Sequence, residues 1–383
     1  MKNIIATILL LVVLCSCKKN NSTAAVNNPV TDPVKNLAKG VNLSNWFNDY
    51  SDPGQYGTRF TLPAMQKIKS LGFTYIRLPI GNTILFNAAN PSTLNPVNLT
   101  YVDNAVKMAT DAGLAVTINL HPWKNDMDSL LAADANMVAK VAAYWKAMAT
   151  FFKKYPADKI FFEVYNEPHA SAGKFTTQGF GWWQTVQGQM IAAIREITND
   201  HYIIAGGEGW NSIEGLKQLQ PYNFEKIVYD FHFYEPFVFT HQGATWVGDT
   251  WAFLHDVPYP SSPENTAALI AASNRDDVKN LLTWYGNYRY NADTLSKQIK
   301  EAVNWASQKK VPLICNEFGS YKQYAPPASR VNCIHDVRML LEQNNIGWAM
   351  WEYDEGFGLI DYTGGNRDMP VADNTILKAL GLQ

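Results

Sequence analysis

Eight times along this chain a short apolar run gives way to a polar cluster and then to an amphipathic stretch. The runs are Gly40–Trp46, Thr74–Ile80, Ala115–His121, Ile160–Asn166, Tyr202–Gly207, Lys226–Tyr234, Val311–Phe318 and Gly347–Trp351. Helical periodicity marks Leu62–Leu71, Tyr101–Ala112, Met137–Lys154, Phe180–Thr198, Thr294–Gln308 and Ala328–Gln343. Apolar strands separated by helices have to run parallel, because a parallel neighbour is reached only by a crossover. Eight such units predict an α/β chain folded as a single (β/α)8 TIM barrel rather than a doubly wound sheet. Asp111–Ala112–Gly113–Leu114–Ala115–Val116 shows the pattern at close range: a helix ends at Gly113 and a buried strand begins. The longest interval, Glu235 to about Asp293, is expected to be a long loop insertion after strand six. In a barrel that loop lies at the face where active sites are built, so it should wall one side of a cleft.

The N-terminus reads differently. A weakly basic start precedes an apolar run, Ile4–Leu14, too short to span a bilayer and of signal-peptide length. Leu14–Cys15–Ser16–Cys17 resembles a bacterial lipobox, which implies cleavage before Cys17 and attachment of lipid to its thiol. The plainer alternative is an ordinary signal peptide cut at a small residue. Residues 1–16 are therefore expected to be a lipoprotein signal peptide and 17–36 a flexible tether poor in large apolar residues. Residues 37–383 remain for the barrel. The expected location is exported and membrane-anchored, periplasmic or at the cell surface.

A net charge of −2 leaves no footprint for nucleic acid. Aromatic residues reach 13 %, a surplus that suits stacking on the apolar faces of sugar rings. Cys315 lies in an apolar strand and Cys333 in a helical pattern, without metal spacing, so both are expected to be buried free thiols.

The ends of the runs converge on one barrel mouth. Arg77 stands near the end of the second run, His121 ends the third, and Asn166 and Glu167 end the fourth. His232 and Tyr234 end the sixth, Glu317 the seventh and Trp351 the eighth. Taken singly, each has an ordinary structural explanation: an ion-pair partner, a hydrogen-bonded histidine, a plug. Two glutamates ending hydrophobic strands are harder to explain away, because a carboxylate there is costly unless paired or exposed in a cleft. A facing pair of carboxyl groups is what glycosidic bond cleavage needs.

On these positions the chain resembles glycoside hydrolase family 5, the cellulase family of clan A, over about residues 38 to 380. Its near-invariant positions are matched by Arg77, His121, Asn166, Glu167, His232, Tyr234, Glu317 and Trp351. The resemblance implies Glu167 as acid/base and Glu317 as a nucleophile held by Arg77 and Tyr234. It also implies a separation of about 5–5.5 Å between carboxyl groups, the retaining geometry. Asn166 would hold the 2-hydroxyl of the attacked sugar, His121 and His232 its other hydroxyls or the glutamates, and Trp351 its face. A non-proline cis peptide at Trp351–Glu352 is a further implication. Trp46 and Phe47, Trp123, Trp210 and Trp246 are candidates for flanking subsites.

No metal and no cofactor is required by this chemistry, and Asp52, Asp126 and Asp128 lack calcium-loop spacing. The expected substrate is a β-linked plant polysaccharide, with endo-acting β-1,4-glucan hydrolysis foremost. β-Mannanase, xyloglucanase or exo-β-glucanase activity are the alternatives, and a non-catalytic glycan-binding lipoprotein is the reading from a different class. No obligate protein partner is implied, and no glycine-rich phosphate loop is present.

Overall fold

The computed structural model describes residues 35–124, 126–169, 181–367 and 369–382. The signal peptide, Cys17 and the tether up to residue 34 lie outside the described residues. Eight parallel strands close into a barrel in sequence order. They are β1 (Lys39–Asn42), β2 (Tyr75–Ile80), β3 (Ala115–Leu120), β4 (Ile160–Glu163), β5 (Tyr202–Gly206), β6 (Ile227–Phe233), β7 (Leu313–Phe318) and β8 (Gly347–Met350). Closure is made by β1, whose Gly40 pairs with Tyr75 on one side and Ala349 on the other.

The barrel interior is layered. At the bottom Tyr75, Ala115, Phe161, Ile204, Val228, Ile314 and Ala349 meet Leu37 in an apolar plug. Gly40 makes room for it: a Cβ there would sit 2.3 Å from the Tyr75 ring. Above the plug the inward positions turn polar, beginning with Asn42, Arg77, Thr117, Glu163, Asp230 and Asn316, all buried. The second core, much larger, fills the space between strands and surrounding helices. Cys315 and Cys333 are both buried and unbonded.

Helix ends follow local chemistry. Asn95 caps Pro96–Asp111 by accepting from the N–H groups of Val97 and Asn98. That helix gives way at Gly113, whose φ of +82° suits glycine. Among the described residues no helix is long and apolar enough to cross a membrane.

Several expectations need correction. The segment after β6 is no simple loop but carries four helices, Phe237–Thr240, Asp249–Ala252, Pro263–Ala272 and Asp276–Tyr288. Its signal is the Ser262–Asn265 capping box ahead of Pro263. Gly286 lets the two longer helices approach, since a Cβ there would meet the Thr266 hydroxyl at 2.4 Å. The strands are also shorter than the apolar runs: β1 stops at Asn42 and β4 at Glu163, while β2 continues three residues past Arg77. Beyond β8, Ile360–Tyr362 and Pro370–Ala372 form a small antiparallel pair that the sequence reading missed.

Candidate active site

Arg77 does not stand at the rim. It lies inside the barrel, fully buried, and all five of its N–H donors are used. Nε and one Nη2 hydrogen reach the two oxygens of Glu163 at 2.8 and 2.7 Å, a forked ion pair. The second Nη2 hydrogen goes to Asn166 Oδ1 at 2.7 Å. Nη1 donates to Asn42 Oδ1 at 2.8 Å and to Glu317 Oε1 at 2.6 Å. Burial opposes its charge, but Glu163 and Glu317 hold its pKa above the ordinary arginine value. One guanidinium thus fixes an amide from the loop after β4 and a carboxylate from β7 at once.

Glu317 reaches that position through an irregularity in the sheet. Phe231 pairs with Cys315 and the next residue, His232, pairs with Glu317, so β7 carries one extra residue there. Such a bulge re-aims side chains. Both Asn316 and Glu317 then turn inward, Asn316 Nδ2 donating to Glu163 at 2.9 Å. Glu317 Oε2 accepts the Tyr234 hydroxyl at 2.8 Å and lies 3.6 Å from His232 Nδ1. Burial pushes the Glu317 carboxyl up, with His232, Arg77 and the Tyr234 hydroxyl pulling it back down and Glu167 adding to the rise. The Tyr234 phenol is raised well above its usual value by burial and by Glu317, so it stays a donor.

Glu167 stands four residues beyond β4, at φ +45°, a sparsely populated region for a residue with a Cβ. Its Oε1 meets His232 Nδ1 at 2.8 Å. The Glu167 side chain is 27 % exposed against 6 % for Glu317, so one carboxyl faces the cleft and the other lies beneath it. An oxygen of each falls within 4.8 Å of the other. So close an approach fits the retaining arrangement, with about 5–5.5 Å between carboxyl groups, better than the inverting gap of about 6.5–9.5 Å.

His121 completes the floor. Asn166 is oriented by Arg77, which takes its Oδ1, so its Nδ2 donates to His121 Nε2 at 3.1 Å. The proton of this imidazole then sits on Nδ1 and bonds Asn119 Oδ1 at 3.0 Å. Burial, with Arg77 and His232 nearby, lowers the His121 pKa well below its usual value and keeps the ring neutral. Its plane stacks between Trp351 and Trp123, at 5.6 and 5.0 Å. The Trp351–Glu352 peptide is cis.

The comparisons with known proteins converge on this arrangement. The profile described as Cellulase (glycosyl hydrolase family 5) matches residues 27–356. The chain belongs to that family. Endoglucanase 3 of Fibrobacter succinogenes is 30 % identical over 352 residues, 88 % of this chain; the chain spans about half (52 %) of that relative. Endoglucanase C of Acetivibrio thermocellus is 28 % identical, over 82 % of this chain and 90 % of its own length. Among solved structures, Thermotoga maritima Cel5A with cellobiose, in a mutant form, superposes with a TM-score of 0.73 at 27 % identity. It covers 91 % of this chain and 97 % of its own. The same enzyme with mannotriose gives 0.71 at 26 % over 91 % and 100 %.

In this family 5 hydrolase the aromatic candidates divide. Trp210 is 58 % exposed and stacks on His169 at 4.8 Å, beyond Glu167. Trp123 and Trp246 are also half exposed or more, Trp246 leaning on Tyr321 and Phe357. Trp46 is not at the cleft. It is 1 % exposed, its indole N–H bonds the Tyr56 carbonyl at 3.0 Å, and it packs on Phe47 and Phe60. The segment after β1 stays paired with the end of β2, Phe47 bridging Ile80, and turns the Trp46 and Phe47 rings into the core against Phe60 and Tyr56. Trp46→Ala is therefore expected to cost about 3–5 kcal/mol in denaturant unfolding while leaving KM for polymer within about twofold. A raised KM with unchanged stability would contradict the core assignment.

Glu163, Asp230, Asn42, Asn211 and Asn316 escaped the sequence reading. Glu163 and Asp230 did carry a signal, an acid inside an apolar strand at the same inward parity as Phe161 and Val228. Two groupings among the described residues bring possible metal ligands together, Glu163–Asp230–His232 and Glu167–His232–Glu317. The oxygens of Glu163, Asp230 and Glu317 already accept from Arg77, Asn316, Asn211 and Tyr234, and Glu167 Oε1 meets His232 Nδ1.

Proposed function

We propose that this family 5 hydrolase cuts β-1,4-glucan internally and with retention, Glu317 serving as nucleophile and Glu167 as acid/base. The observation that carries the reading is the close approach of two carboxyl groups in unlike surroundings, one buried on Arg77 and Tyr234, one partly open to the cleft. In the first step a Glu317 oxygen attacks the anomeric carbon while Glu167 gives its proton to the departing oxygen, and the glycosidic bond breaks. In the second, Glu167 takes a proton from water, whose oxygen replaces Glu317 at the anomeric carbon. Arg77 and Tyr234 hold the Glu317 oxygens in place for attack, and in the second step they stabilise the charge that returns to those oxygens as the ester breaks. One Asn166 amide hydrogen is spent on His121, which leaves the other for the hydroxyl beside the anomeric carbon. Trp351, backed by His121, offers the sugar a flat apolar face.

Internal cutting draws support from the relatives described as endoglucanases and from exposed rings on several sides of the pair, Trp123, Trp210 and Trp246. Cel5A has been solved with mannotriose as well as cellobiose, and that favours a second reading, β-mannan as substrate. The test is hydrolysis of carboxymethyl-cellulose, barley β-glucan, xyloglucan and glucomannan, scored by product length. Fast loss of viscosity on β-glucan with mixed oligosaccharides supports the proposal; release of one short product, or action on mannan alone, would replace it.

Anchoring through a lipid on Cys17, in an exported protein, is part of the same proposal and rests on the Ile4–Leu14 run and the Leu14–Cys17 pattern. Palmitate label that survives Cys17→Ser in the expressing bacterium would refute it.

A further inference from the structure

We propose that Asp230 is a positioning residue that keeps His232 as an imidazolium between the two glutamates and pins the bulge that turns Glu317 inward. The proposal rests on the roles given above to Glu167 and Glu317.

Asp230 lies fully buried on β6, one inward step below His232. Its Oδ1 accepts the N–H of Asn316 at 2.8 Å, at the point where β7 carries its extra residue. Its Oδ2 accepts from Asn211 Nδ2 at 2.9 Å and stands 3.4 Å from His232 Nε2. The other side of the same ring faces Glu167 at 2.8 Å and Glu317 at 3.6 Å. Nε2 is thus turned toward the carboxylate of Asp230, and Nδ1 toward Glu317 and the acid/base Glu167. A neutral ring protonated on Nε2 could accept the Glu167 proton on Nδ1, but it would turn a lone pair on the Glu317 carboxylate, which can only accept. A doubly protonated ring donates to Asp230 on one side and to the carbonyl oxygen of the Glu167 carboxyl group on the other, with its charge beside Glu317. Asn211 Nδ2 is a competing donor to Nε2, but it lies 3.4 Å from the ring and 2.9 Å from Asp230.

The charges packed around the pair point the same way. Arg77 and Glu163 lie near Asp230 inside the barrel, with the phenol of Tyr75 in the layer below and the thiol of Cys315 on the outer side of β7. His121, just past β3, acts on His232 from across the barrel mouth, and Tyr234, just past the end of β6, donates to Glu317 beside it. With Glu167 carrying its proton, Glu163, Asp230 and Glu317 are three buried anions and Arg77 one cation. A charged His232 brings the balance to three against two. Burial works against that charge, but Glu317, then Asp230 and Glu167, outweigh it and raise the His232 pKa well above its ordinary value.

Asp230→Asn separates this role from a merely structural one. With Asp230 neutral, His232 gives up its proton and Glu317 loses a cation 3.6 Å away, so Glu317 ionises at higher pH. The acid limb of kcat/KM should rise by about one pH unit, equal to a tenfold loss on that limb. If His232 stayed charged or never had been, removing an anion could only leave the limb in place or lower it. Either of those results would overturn the proposal.

A second measurement does not depend on the variant folding. Nitrogen-15 NMR of histidine-labelled wild-type chain should show both His232 nitrogens protonated at pH 7, with His232→Asn providing the assignment. A neutral tautomer there would overturn the proposal even in an active enzyme. An imidazolium in a chain that cuts no β-glucan would support it while refuting the function above.

Discussion

Glu317→Ala should lose at least about 10⁴-fold in kcat on β-glucan, and azide should restore turnover with an α-glycosyl azide as product. The variant lacks the oxygen that attacks the anomeric carbon, and the described residues that held it, Tyr234 and Arg77, are both donors. Azide is small enough to enter the space left by the side chain. It approaches from the face Glu317 had occupied, so the new bond forms with inversion. Glu167→Ala should behave differently. It should lose about 10²–10⁴-fold on the polymer, whose leaving group needs a proton, and far less on an aryl glycoside with a good leaving group. There azide replaces water in the second step and the product is the β-azide. Mass spectrometry and proton NMR of the two azides check both results. Identical anomers from the two variants would remove the distinction between nucleophile and acid/base.

A large effect on stability and activity together is expected at Glu163. Its side chain is 1 % exposed and its two oxygens take both hydrogen bonds of the Arg77 fork. Glu163→Ala leaves a fully buried guanidinium with two donors unpaired, which costs about 3–5 kcal/mol. It also frees Arg77 to swing from Asn166 and Glu317, so catalysis should fall along with stability. Arg77→Lys tests the other half. An ammonium keeps the charge but has three donors where five are used, and cannot fork onto Glu163 while holding both Asn166 and Glu317. Urea unfolding of the two variants, with kcat measured where each is folded, checks this. A loss below about 1 kcal/mol in Glu163→Ala would mean that the pair does not organise the site.

The barrel was legible because its signal is repeated: eight apolar runs each stop at a polar cluster, and eight strands are where those runs lie. The rim residues were legible for the same reason. What stayed hidden depends on depth. An apolar run shows that a strand is buried but not where along the barrel axis each side chain comes to rest. Arg77 was therefore expected at the mouth and lies beneath it, bonded to Glu163. Asp230 was read as part of an apolar run, since nothing in Ile227–Phe233 announces that the β7 bulge will lean on it. Trp46 was misplaced because the first run continues past the point where β1 ends, and aromatic residues suit both a cleft and a core. Two of the helices after β6 were missed because they are single turns, and the two longer ones, Pro263–Ala272 and Asp276–Tyr288, because the stretch was read as a loop despite the cap at Ser262.

The central claim, retention through a Glu317 ester, is tested most directly by the anomeric configuration of the first product. Proton NMR of cellotetraose hydrolysis, followed from the first minute, should show the β-anomer of the new reducing end ahead of the α-anomer. The α form should then appear only as fast as mutarotation supplies it. An α-anomer released first would mean direct attack by water and would contradict the nucleophile, whatever the two glutamates are otherwise found to do.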